Sequence, residues 1–324
     1  MQLKTMVAVA ALALAALATA GPGAAARHSA AARHRTWIVK AGAEAPVQNA
    51  KKGIQVAEYL PSQIWIDAGD TVLWKVPTGE PHTITFLRKG QRPPIFNPAD
   101  PMVSQRQGGS TYAGTGYFNS GVMPTSSIGG PKNAPTTYRL TFAKPGDYDY
   151  ICLLHGEMVG TVHVLPAGTP TPFTQADYRR QGARQAKALI GRGMMLERVA
   201  MQVAKARGHL VVAGTGDGKI EDQDYFPARL TIHKGESVTF LNLDPEAPHT
   251  VTFGPEPKQP GATQKPYGNP SAYAGGTLNS GYFGVEPPWS GPAWTVRFTK
   301  PGTYHYYCAL HDDNGMKGVV VVKS

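Results

Sequence analysis

The stretch Tyr59–Phe86, YLPSQIWIDAGDTVLWKVPTGEPHTITF, has two runs of alternating apolar and polar residues on either side of Gly69-Asp70. Such alternation is typical of strands with one face in a core, and a Gly-acid pair is typical of a turn. The stretch Tyr225–Phe253, YFPARLTIHKGESVTFLNLDPEAPHTVTF, has the same order: Tyr-apolar-Pro, alternation, a Gly-acid turn and Pro-His-Thr. A match of this length indicates a duplicated domain rather than a short solenoid unit.

The duplication continues towards the C-terminal end of each copy. YFNSG at Tyr117–Gly121 corresponds to TLNSG at Thr277–Gly281, and TYRLTFAKPGDYDYICLLH corresponds to WTVRFTKPGTYHYYCALH. These runs are short, rich in β-branched and aromatic residues, and separated by Pro-Gly and Asn-Ser-Gly turns. The chain is therefore predicted to be all-β, with each copy an antiparallel sandwich or small barrel of Greek-key type.

The length of 324 residues is sufficient for two ordinary domains. Residues 1–20 have a basic start at Lys4, an apolar run and an Ala-Thr-Ala end, the pattern of a secretory signal peptide. An uncleaved membrane anchor is the alternative, although the apolar run is short for a span. We expect a basic tail at 21–35, a first domain at 36–166, a linker at 167–207 and a second domain at 208–324.

The segment between the copies carries Ala186, Ile190, Met194 and Met201 at helical spacing, with basic residues between them. We expect an imperfect basic helix that packs against one domain; a helix on a membrane surface is the alternative. Its methionines are expected to pack in a core rather than to contact a metal.

The formal net charge is +10, and loss of Lys4 with the signal peptide leaves +9. Such a protein, exported to a periplasm or an extracellular space, could make peripheral contact with a membrane or cell wall through its basic segments. The positive charges are dispersed and no nucleic-acid motif is present, so nucleic-acid binding is not expected.

The chain's two cysteines lie at matching points, in YDYICLLHGEMVG (Tyr148–Gly160) and YHYYCALHDDNGMKG (Tyr304–Gly318). Strand residues two apart share a face, so the aromatic residues before each cysteine point into the core with it. The chain then turns and returns a histidine and a methionine towards the sulfur, and a second histidine comes from Pro-His-Thr. Two imidazoles, a thiolate and a weak thioether are the ligand set of a type 1 copper centre.

Two other roles for the cysteines are less well supported. A disulfide between Cys152 and Cys308 would require equivalent core-end positions of two domains to meet. Zinc does not favour a thioether ligand. The remaining histidines are expected to be structural or solvated: His28, His34, His163, His209, His233 and His305.

With these motifs the sequence resembles the cupredoxins, the blue copper proteins, once per domain and over nearly all of the mature chain. Cys-x2-His-x2-Met in the first copy is similar to the short ligand loop of amicyanin-like proteins. Cys-x2-His-x4-Met in the second is similar to the loop of plastocyanin and pseudoazurin. The resemblance implies two type 1 copper ions, one per domain, held by His82, Cys152, His155 and Met158, and by His249, Cys308, His311 and Met316.

The family commonly has Asn after the first histidine, where this chain has Thr83 and Thr250, whose hydroxyls can still form hydrogen bonds. The resemblance also implies that the loop histidine lies near the surface, where electrons enter or leave. Asp312 and Asp313 follow His311 directly. They would form an acidic patch that receives a basic partner, or they are simply solvated.

The resemblance implies one-electron transfer between a donor and an acceptor protein whose identities the sequence does not give. Two-domain multicopper oxidases and copper nitrite reductases also contain cupredoxin domains, but they need His-x-His pairs and commonly have histidines beside the type 1 cysteine. Here the flanking residues are Ile151, Leu153, Tyr307 and Ala309. We therefore expect an electron carrier and not an enzyme; copper storage or delivery without redox turnover would use the same ligands.

Overall fold

The computed structural model of the protein describes residues 34–48, 50–124, 135–257, 262–285 and 289–324. The predicted signal peptide and nearly all of the predicted basic tail lie outside the described residues. His34–Ser324 form one compact unit.

The strands of the first copy are β1 (Thr36–Ala45), β2 (Ile54–Leu60), β3 (Gln63–Asp67), β4 (Thr71–Lys75), β5 (Thr85–Phe86), β6 (Thr111–Tyr112), β7 (Phe118–Asn119), β8 (Thr137–Phe142), β9 (Gly146–Ile151) and β10 (Val159–Leu165). The strands of the second copy are β11 (Leu210–Gly216), β12 (Ile220–Phe226), β13 (Arg229–His233), β14 (Ser237–Leu243), β15 (Thr252–Phe253), β16 (Leu278–Asn279), β17 (Ala293–Arg297), β18 (Gly302–Tyr307) and β19 (Lys317–Lys323). The helices are the short α1 (Pro101–Ser104) and the long α2 (Gln175–Arg207).

Three sheets account for these strands. One has nine strands in the order β17-β14-β11-β12-β2-β1-β4-β8-β6, and two have five strands each, β3-β10-β9-β5-β7 and β13-β19-β18-β15-β16. Each five-stranded sheet shares an aromatic core with its half of the nine-stranded sheet. The predicted all-β fold of two tandem sandwiches with a helix between them is confirmed, and the two sandwiches have one sheet in common.

The predicted antiparallel pairing accounts for only part of each sandwich, because each copy also contains parallel pairs. β1 is antiparallel to β2 but parallel to β4, and β3 is parallel to β10. The second copy repeats this with β11 beside β14 and β13 beside β19. After β2 the chain crosses to the opposite sheet as β3, so that β4 re-enters the first sheet beside β1 and in its direction.

The two copies are joined through β12 and β2. These strands pair antiparallel, with Ile220 opposite Val56, Glu221 opposite Gln55 and Asp222 opposite Ile54. Because side chains alternate along a strand, Glu221 lies on the face of Tyr225, whose hydroxyl donates to the Thr250 carbonyl at 2.5 Å. Asp222 and Asp224 lie on the opposite face, under α2.

Helix α2 begins at a capping box, in which the Thr174 hydroxyl accepts from the Asp177 amide and the Asp177 carboxylate accepts from the Thr174 amide. It contacts β1 and β2 of the first copy and β11 and β12 of the second. The predicted packing against one domain is therefore wrong. The two copies share one sheet, so their outer faces form one continuous surface. A single helix covers that surface.

Two glycines allow α2 to lie close to this sheet. A Cβ at Gly193 would come within 2.9 Å of Ile54 Cγ2 and 3.1 Å of Ile220 Cγ2. A Cβ at Gly182 would come within 2.9 Å of the Leu60 carbonyl carbon. The glycine at 193, which lowers intrinsic helix propensity, is thus required by the strand residues beneath it.

The helical methionines differ in their surroundings. Met201 packs on a small apolar cluster with Ala200, Ala204 and Phe226. Met194 is 47% exposed, so the expectation that it packs in a core is wrong. Within the described residues, no helix combines the length and the apolar character needed to cross a bilayer.

Candidate metal centres

The first candidate centre lies at one end of the first aromatic core. Nδ1 of His82 is 3.1 Å from Nδ1 of His155, and Nδ1 of His155 is 3.4 Å from Sγ of Cys152. The three ligand atoms lie within 4.8 Å of one another, and all three side chains are buried. The structure therefore brings together residues that are 73 positions apart in the sequence.

The second candidate centre repeats this arrangement. Nδ1 of His249 is 3.1 Å from Nδ1 of His311, and Sγ of Cys308 is 3.8 Å and 3.6 Å from those two nitrogens. Both cysteines are free thiols, so the disulfide alternative is not formed. Both histidines of each pair present Nδ1 to the cysteine, which is the convergence that a bound metal needs.

The methionines are brought beside their cysteines by the backbone. The Cys152 amide donates to the Met158 carbonyl at 3.0 Å, and the Cys308 amide donates to the Met316 carbonyl at 3.1 Å. Both methionine side chains are fully buried in the same core clusters as the cysteines. Each loop thus places its methionine beside the cysteine in the backbone and in the same buried core.

Threonine takes up the bracing position after the first histidine. The Thr83 amide donates to Cys152 Sγ at 3.3 Å, and the Thr83 hydroxyl accepts from the Leu153 amide at 2.8 Å. In the second copy the Thr250 amide donates to Cys308 Sγ at 3.4 Å, and its hydroxyl accepts from the Ala309 amide at 2.8 Å. The hydroxyl therefore ties the histidine strand to the cysteine strand in both copies.

The asparagines of the Asn-Ser-Gly turns add further hydrogen bonds to this threonine brace. From the sequence these turns are predicted only as chain reversals. The Thr83 hydroxyl contacts that of Thr85 at 3.0 Å, and Thr85 donates to Asn119 Oδ1 at 3.0 Å. Thr250, Thr252 and Asn279 form the same series, with distances of 2.9 Å and 2.8 Å. The signal was present in the sequence, since both asparagines belong to the repeated turn motif.

A bulge glycine makes room for the first histidine of each centre. Gly42 has φ 87° at an irregularity in the β1–β2 pairing, and a Cβ there would lie 2.6 Å from His82 Nε2. Gly214 has φ 79° at the matching place in β11, and a Cβ there would lie 2.0 Å from His249 Nε2. The glycines allow both the backbone conformation and the approach of the imidazole.

The electrostatics of each centre favour a thiolate. Burial by itself would raise the pKa of Cys152, but the charge and hydrogen bond of His155, together with His82, hold that pKa well below its usual range. His311 and His249 lower the pKa of Cys308 in the same way, against the effect of burial. A thiolate is the form of cysteine that binds a metal, so the donor set fits a soft, redox-active ion such as copper.

Both loop histidines lie at the junction of the two domains. His155 is 3% exposed and His311 is 8% exposed. The expectation that the loop histidine lies near the surface is therefore wrong for this chain. The physical reason is that each ligand loop packs against the other copy: the Lys51 and Lys52 amides of the first copy donate to the Asn314 carbonyl of the second loop at 2.7 Å and 3.1 Å.

A buried polar network that the sequence patterns did not predict connects the two loops. His155 Nε2 lies 3.3 Å from Glu221 Oε1 and 3.7 Å from Glu80 Oε1. Gln223 Nε2 donates to Glu80 Oε2 at 2.7 Å and to Glu221 Oε2 at 3.2 Å, and Asn314 Nδ2 donates to Gln223 Oε1 at 2.7 Å. The available signal was the run Glu221-Asp222-Gln223-Asp224, four polar residues in a row within a strand.

The charges in this network support one another. Burial would raise the pKa of Glu221, but the hydrogen bond and charge of His155 outweigh it and lower the pKa to about 2. Burial would lower the pKa of His155, but Cys152, Glu221 and Glu80 together raise it well above its ordinary value. Glu221 is therefore an anion held against the outer nitrogen of a metal-ligand candidate.

The predicted acidic patch lies beside the second centre. Asp312 lines a cavity of about 320 Å³ with Glu256, Tyr307 and Lys317. Burial, followed by the charges of Glu256 and Asp313, raises the pKa of Asp312. Lys317 Nζ is 4.0 Å from its carboxylate, so the patch contains a cation as well as acids.

The sequence profile described as copper binding proteins, plastocyanin/azurin family, matches residues 47–165 and 212–323. The chain belongs to this family. Each matched region contains one complete pair of histidines with its cysteine and methionine. The predicted resemblance to tandem cupredoxin domains is thus confirmed.

Individual relatives align with about one domain of the chain. A chloroplastic plastocyanin of Physcomitrium patens is 32% identical over 136 residues, 42% of this chain and 68% of that protein. Plastocyanin A/B of Petroselinum crispum is 30% identical over 112 residues, 35% of this chain and 97% of that protein. Among solved structures, the oxidised form of plastocyanin from Dryopteris crassirhizoma is 22% identical and covers 35% of this chain and 99% of its own, with a TM-score of 0.24.

Proposed function

We propose that the protein is an exported electron carrier that holds one type 1 copper ion in each domain. The observation that supports this most strongly is the doubled convergence of two Nδ1 atoms on a buried cysteine, with a buried methionine beside it. His82, Cys152, His155 and Met158 would hold one ion, and His249, Cys308, His311 and Met316 the other.

Copper supplies one-electron chemistry by cycling between Cu(I) and Cu(II). The protein's own contribution is a rigid ligand set. The Thr83 and Thr250 braces fix the cysteine strands, and the bulge glycines Gly42 and Gly214 fix the place of the first imidazoles. A rigid site rearranges little when the metal is reduced, so electron transfer through it is fast.

The deciding experiment is copper analysis of the purified mature protein together with its visible and electron paramagnetic resonance spectra. We expect two copper ions per chain and an intense thiolate-to-copper absorption. A stoichiometry of zero, or bound copper without a thiolate band, would contradict the proposal.

An oxidase or nitrite reductase is the second candidate, because two-domain enzymes share these domains. Such enzymes need additional histidine-rich copper sites, whereas Pro-His-Thr supplies a single histidine in each copy and neither cysteine has a histidine neighbour. A steady-state assay with an electron donor and either oxygen or nitrite distinguishes the two functions. Copper-dependent consumption of either substrate would favour the enzyme.

Copper storage or delivery is the third candidate, since it uses the same ligands without redox turnover. Slow copper exchange together with a reversible redox couple would support the electron carrier. Rapid exchange with a copper chelator, without a reversible couple, would support storage or delivery.

The proposed location and partners rest on the sequence. Residues 1–20 have the pattern of a cleaved signal peptide, which would send the chain to a periplasm or an extracellular space. Its partners would be a redox protein that donates electrons and another that accepts them, and its basic segments would favour peripheral contact with an anionic membrane or cell wall. N-terminal sequencing of the exported protein would test the cleavage near Ala20.

A further inference from the structure

His155 has a partner on each of its two ring nitrogens. Nδ1 faces Cys152 and His82, while Nε2 faces the carboxylates of Glu221 and Glu80. Glu221 belongs to β12 of the second copy, so a residue of one domain contacts the candidate metal ligand of the other. The contact is closed to water, because both His155 and Glu221 are 3% exposed.

The carboxylates are themselves held in position. Gln223 donates one amide group to both Glu80 and Glu221, and its oxygen accepts from Asn314 of the second ligand loop. A buried acceptor fixed in this way restricts the rotation of the His155 ring. It also selects the tautomer that carries hydrogen on Nε2 and leaves the Nδ1 lone pair free for a metal.

The loop histidine of the second centre, His311, differs from His155 in its contacts with carboxylates. Within the part of the chain that the structure describes, the ion pairs to histidine include none at His311. The charges of Glu80 and Glu221 still help to raise the pKa of His311, but without the close contact that they make with His155. The sequence counterpart of Glu221 in the first copy is Gln55, whose Nε2 donates to the Lys52 carbonyl at 2.7 Å. A neutral amide thus occupies the position from which the second copy extends a carboxylate.

We propose that Glu221, assisted by Glu80, is a positioning residue for the metal centre of the first domain. The inference rests on the proposed function and deepens it, because it makes the first centre depend on the second domain. An anionic acceptor on Nε2 increases the basicity of Nδ1 and stabilises the more highly charged Cu(II) state. The first centre is therefore expected to bind Cu(II) more tightly and to have the lower reduction potential.

The test uses the full-length protein in two backgrounds. Cys308→Ser leaves only the first centre for observation, and Cys152→Ser leaves only the second. Glu221→Gln is added to each, and Cu(II) affinity is measured by competition with a chelator of known affinity. We expect the affinity of the first centre to fall about 10- to 100-fold, with a higher potential and a changed electron paramagnetic resonance spectrum. The second centre is expected to change less than the first, because Glu221 makes no ion pair with His311 and acts on it only through longer-range charge.

Glu58→Gln is the matched control. Glu58 is another buried carboxylate between the copies, and it bonds to Lys219 Nζ at 2.8 Å. It has no histidine contact among the described ion pairs. This variant should leave the affinity, the potential and the spectrum of the first centre unchanged.

Three outcomes would overturn the proposal: no change at the first centre, equal changes at both centres, or the same change in Glu58→Gln. If Glu221→Gln does not fold, Glu80→Gln tests the contact from the first domain without altering β12. It should shift the same centre in the same direction, by less because its distance is longer, and an unshifted centre would reject the inference. Absence of a thiolate-copper band in both parent backgrounds would instead refute the proposed function itself.

Discussion

The two ligand loops begin alike and diverge after the histidine. Gly156 and Glu157 separate His155 from Met158, whereas Asp312–Gly315 separate His311 from Met316. The core-facing halves of the centres match closely, with the same threonine brace and the same bulge glycine. Their interface-facing halves do not match: His155 meets buried carboxylates, while the second loop meets the first copy through Asn314 and its backbone. The two copies therefore share the candidate ligand set and its braces, and they differ in the residues that surround the loop histidine.

The largest expected effect is the loss of one candidate copper centre while the other stays intact. Cys152→Ser and Cys308→Ser should each remove one thiolate-to-copper band and halve the bound copper, because the hydroxyl of serine does not replace a thiolate at this site. Copper analysis and the visible spectrum of each variant provide the measurement. An unchanged spectrum in either variant would show that its centre is wrongly assigned.

A second difference between the copies lies under α2, where Asp222 stands at the position equivalent to Val56. Asp222 is fully buried, and neither carboxylate oxygen has a hydrogen-bond partner in the described structure. Burial, followed by the charges of Asp224, Glu197 and Asp244, raises its pKa to about 8. Because this is above the unfolded value of about 3.9, the stability gained from the protonated form is complete below pH ~4 and is lost as pH rises towards 8.

We therefore expect the wild-type protein to lose stability between about pH 4 and pH 8, the unfolded and folded pKa values of this carboxyl group, and Asp222→Asn to lose less. Each pKa unit corresponds to about 1.4 kcal/mol, so the gap between the two proteins should reach several kcal/mol at the alkaline end. Urea unfolding at a series of pH values measures it. Parallel stability curves would refute the role given to this carboxyl group.

The bulge glycines test how similar the core-facing halves are. Gly42→Ala and Gly214→Ala would each push a Cβ against an imidazole, and we expect a loss of roughly 1–3 kcal/mol in stability together with weaker copper binding. Gly214→Ala should be the more damaging, because its Cβ would approach His249 to 2.0 Å rather than 2.6 Å.

Gly235→Ala is the control for these two variants. Gly235 also has a positive φ, 91°, but a Cβ there would meet nothing within 4 Å. It should carry the backbone strain without disturbing copper binding. Equal loss of copper binding in all three variants would show that crowding of the histidine is not the cause.

The reduction potentials extend the comparison to function. Redox titration of Cys308→Ser and Cys152→Ser reports the first and the second centre separately, and the first should lie lower by about 60 mV, the equivalent of a tenfold preference for one electron. The reason is the carboxylate against His155. Indistinguishable midpoints, or a lower value for the second centre, would contradict this.

The smallest effect is expected at the acidic patch of the second loop. Asp312→Asn combined with Asp313→Asn should slow electron transfer to a basic partner a few-fold, the equivalent of roughly 0.2–1 kcal/mol, and weaken its salt dependence. Stopped-flow measurements at two salt concentrations test this. If rate and salt dependence are the same as in the wild type, the two carboxylates are only solvated.

How far the sequence predicts this structure depends on whether a feature recurs. The sandwiches and the convergence of each histidine pair on its cysteine could be predicted, because Pro-His-Thr and the Cys-x2-His loops occur twice at matching points. The roles of Glu221 and Gln223 could not, since they depend on β12 pairing with β2, in which Glu221 lies opposite Gln55, 166 positions earlier, and no local pattern encodes that register. The position of α2 was missed for the same reason: its partner surface exists only once the two copies share a sheet.

β12 and β2 pair as two strands related by a two-fold pseudosymmetry axis that passes between them. Glu221 faces Gln55, its own counterpart in the duplicated sequence, and the flanking pairs Ile220–Val56 and Asp222–Ile54 exchange in the same way. In a symmetric homodimer of one such domain, a residue at this position would always face its own copy. Both protomers would then carry a glutamate there, or neither would. Fusion into one chain removes this constraint, so that a carboxylate can stand at one copy of the position and an amide at the other, and two equivalent subunits become a differentiated pair.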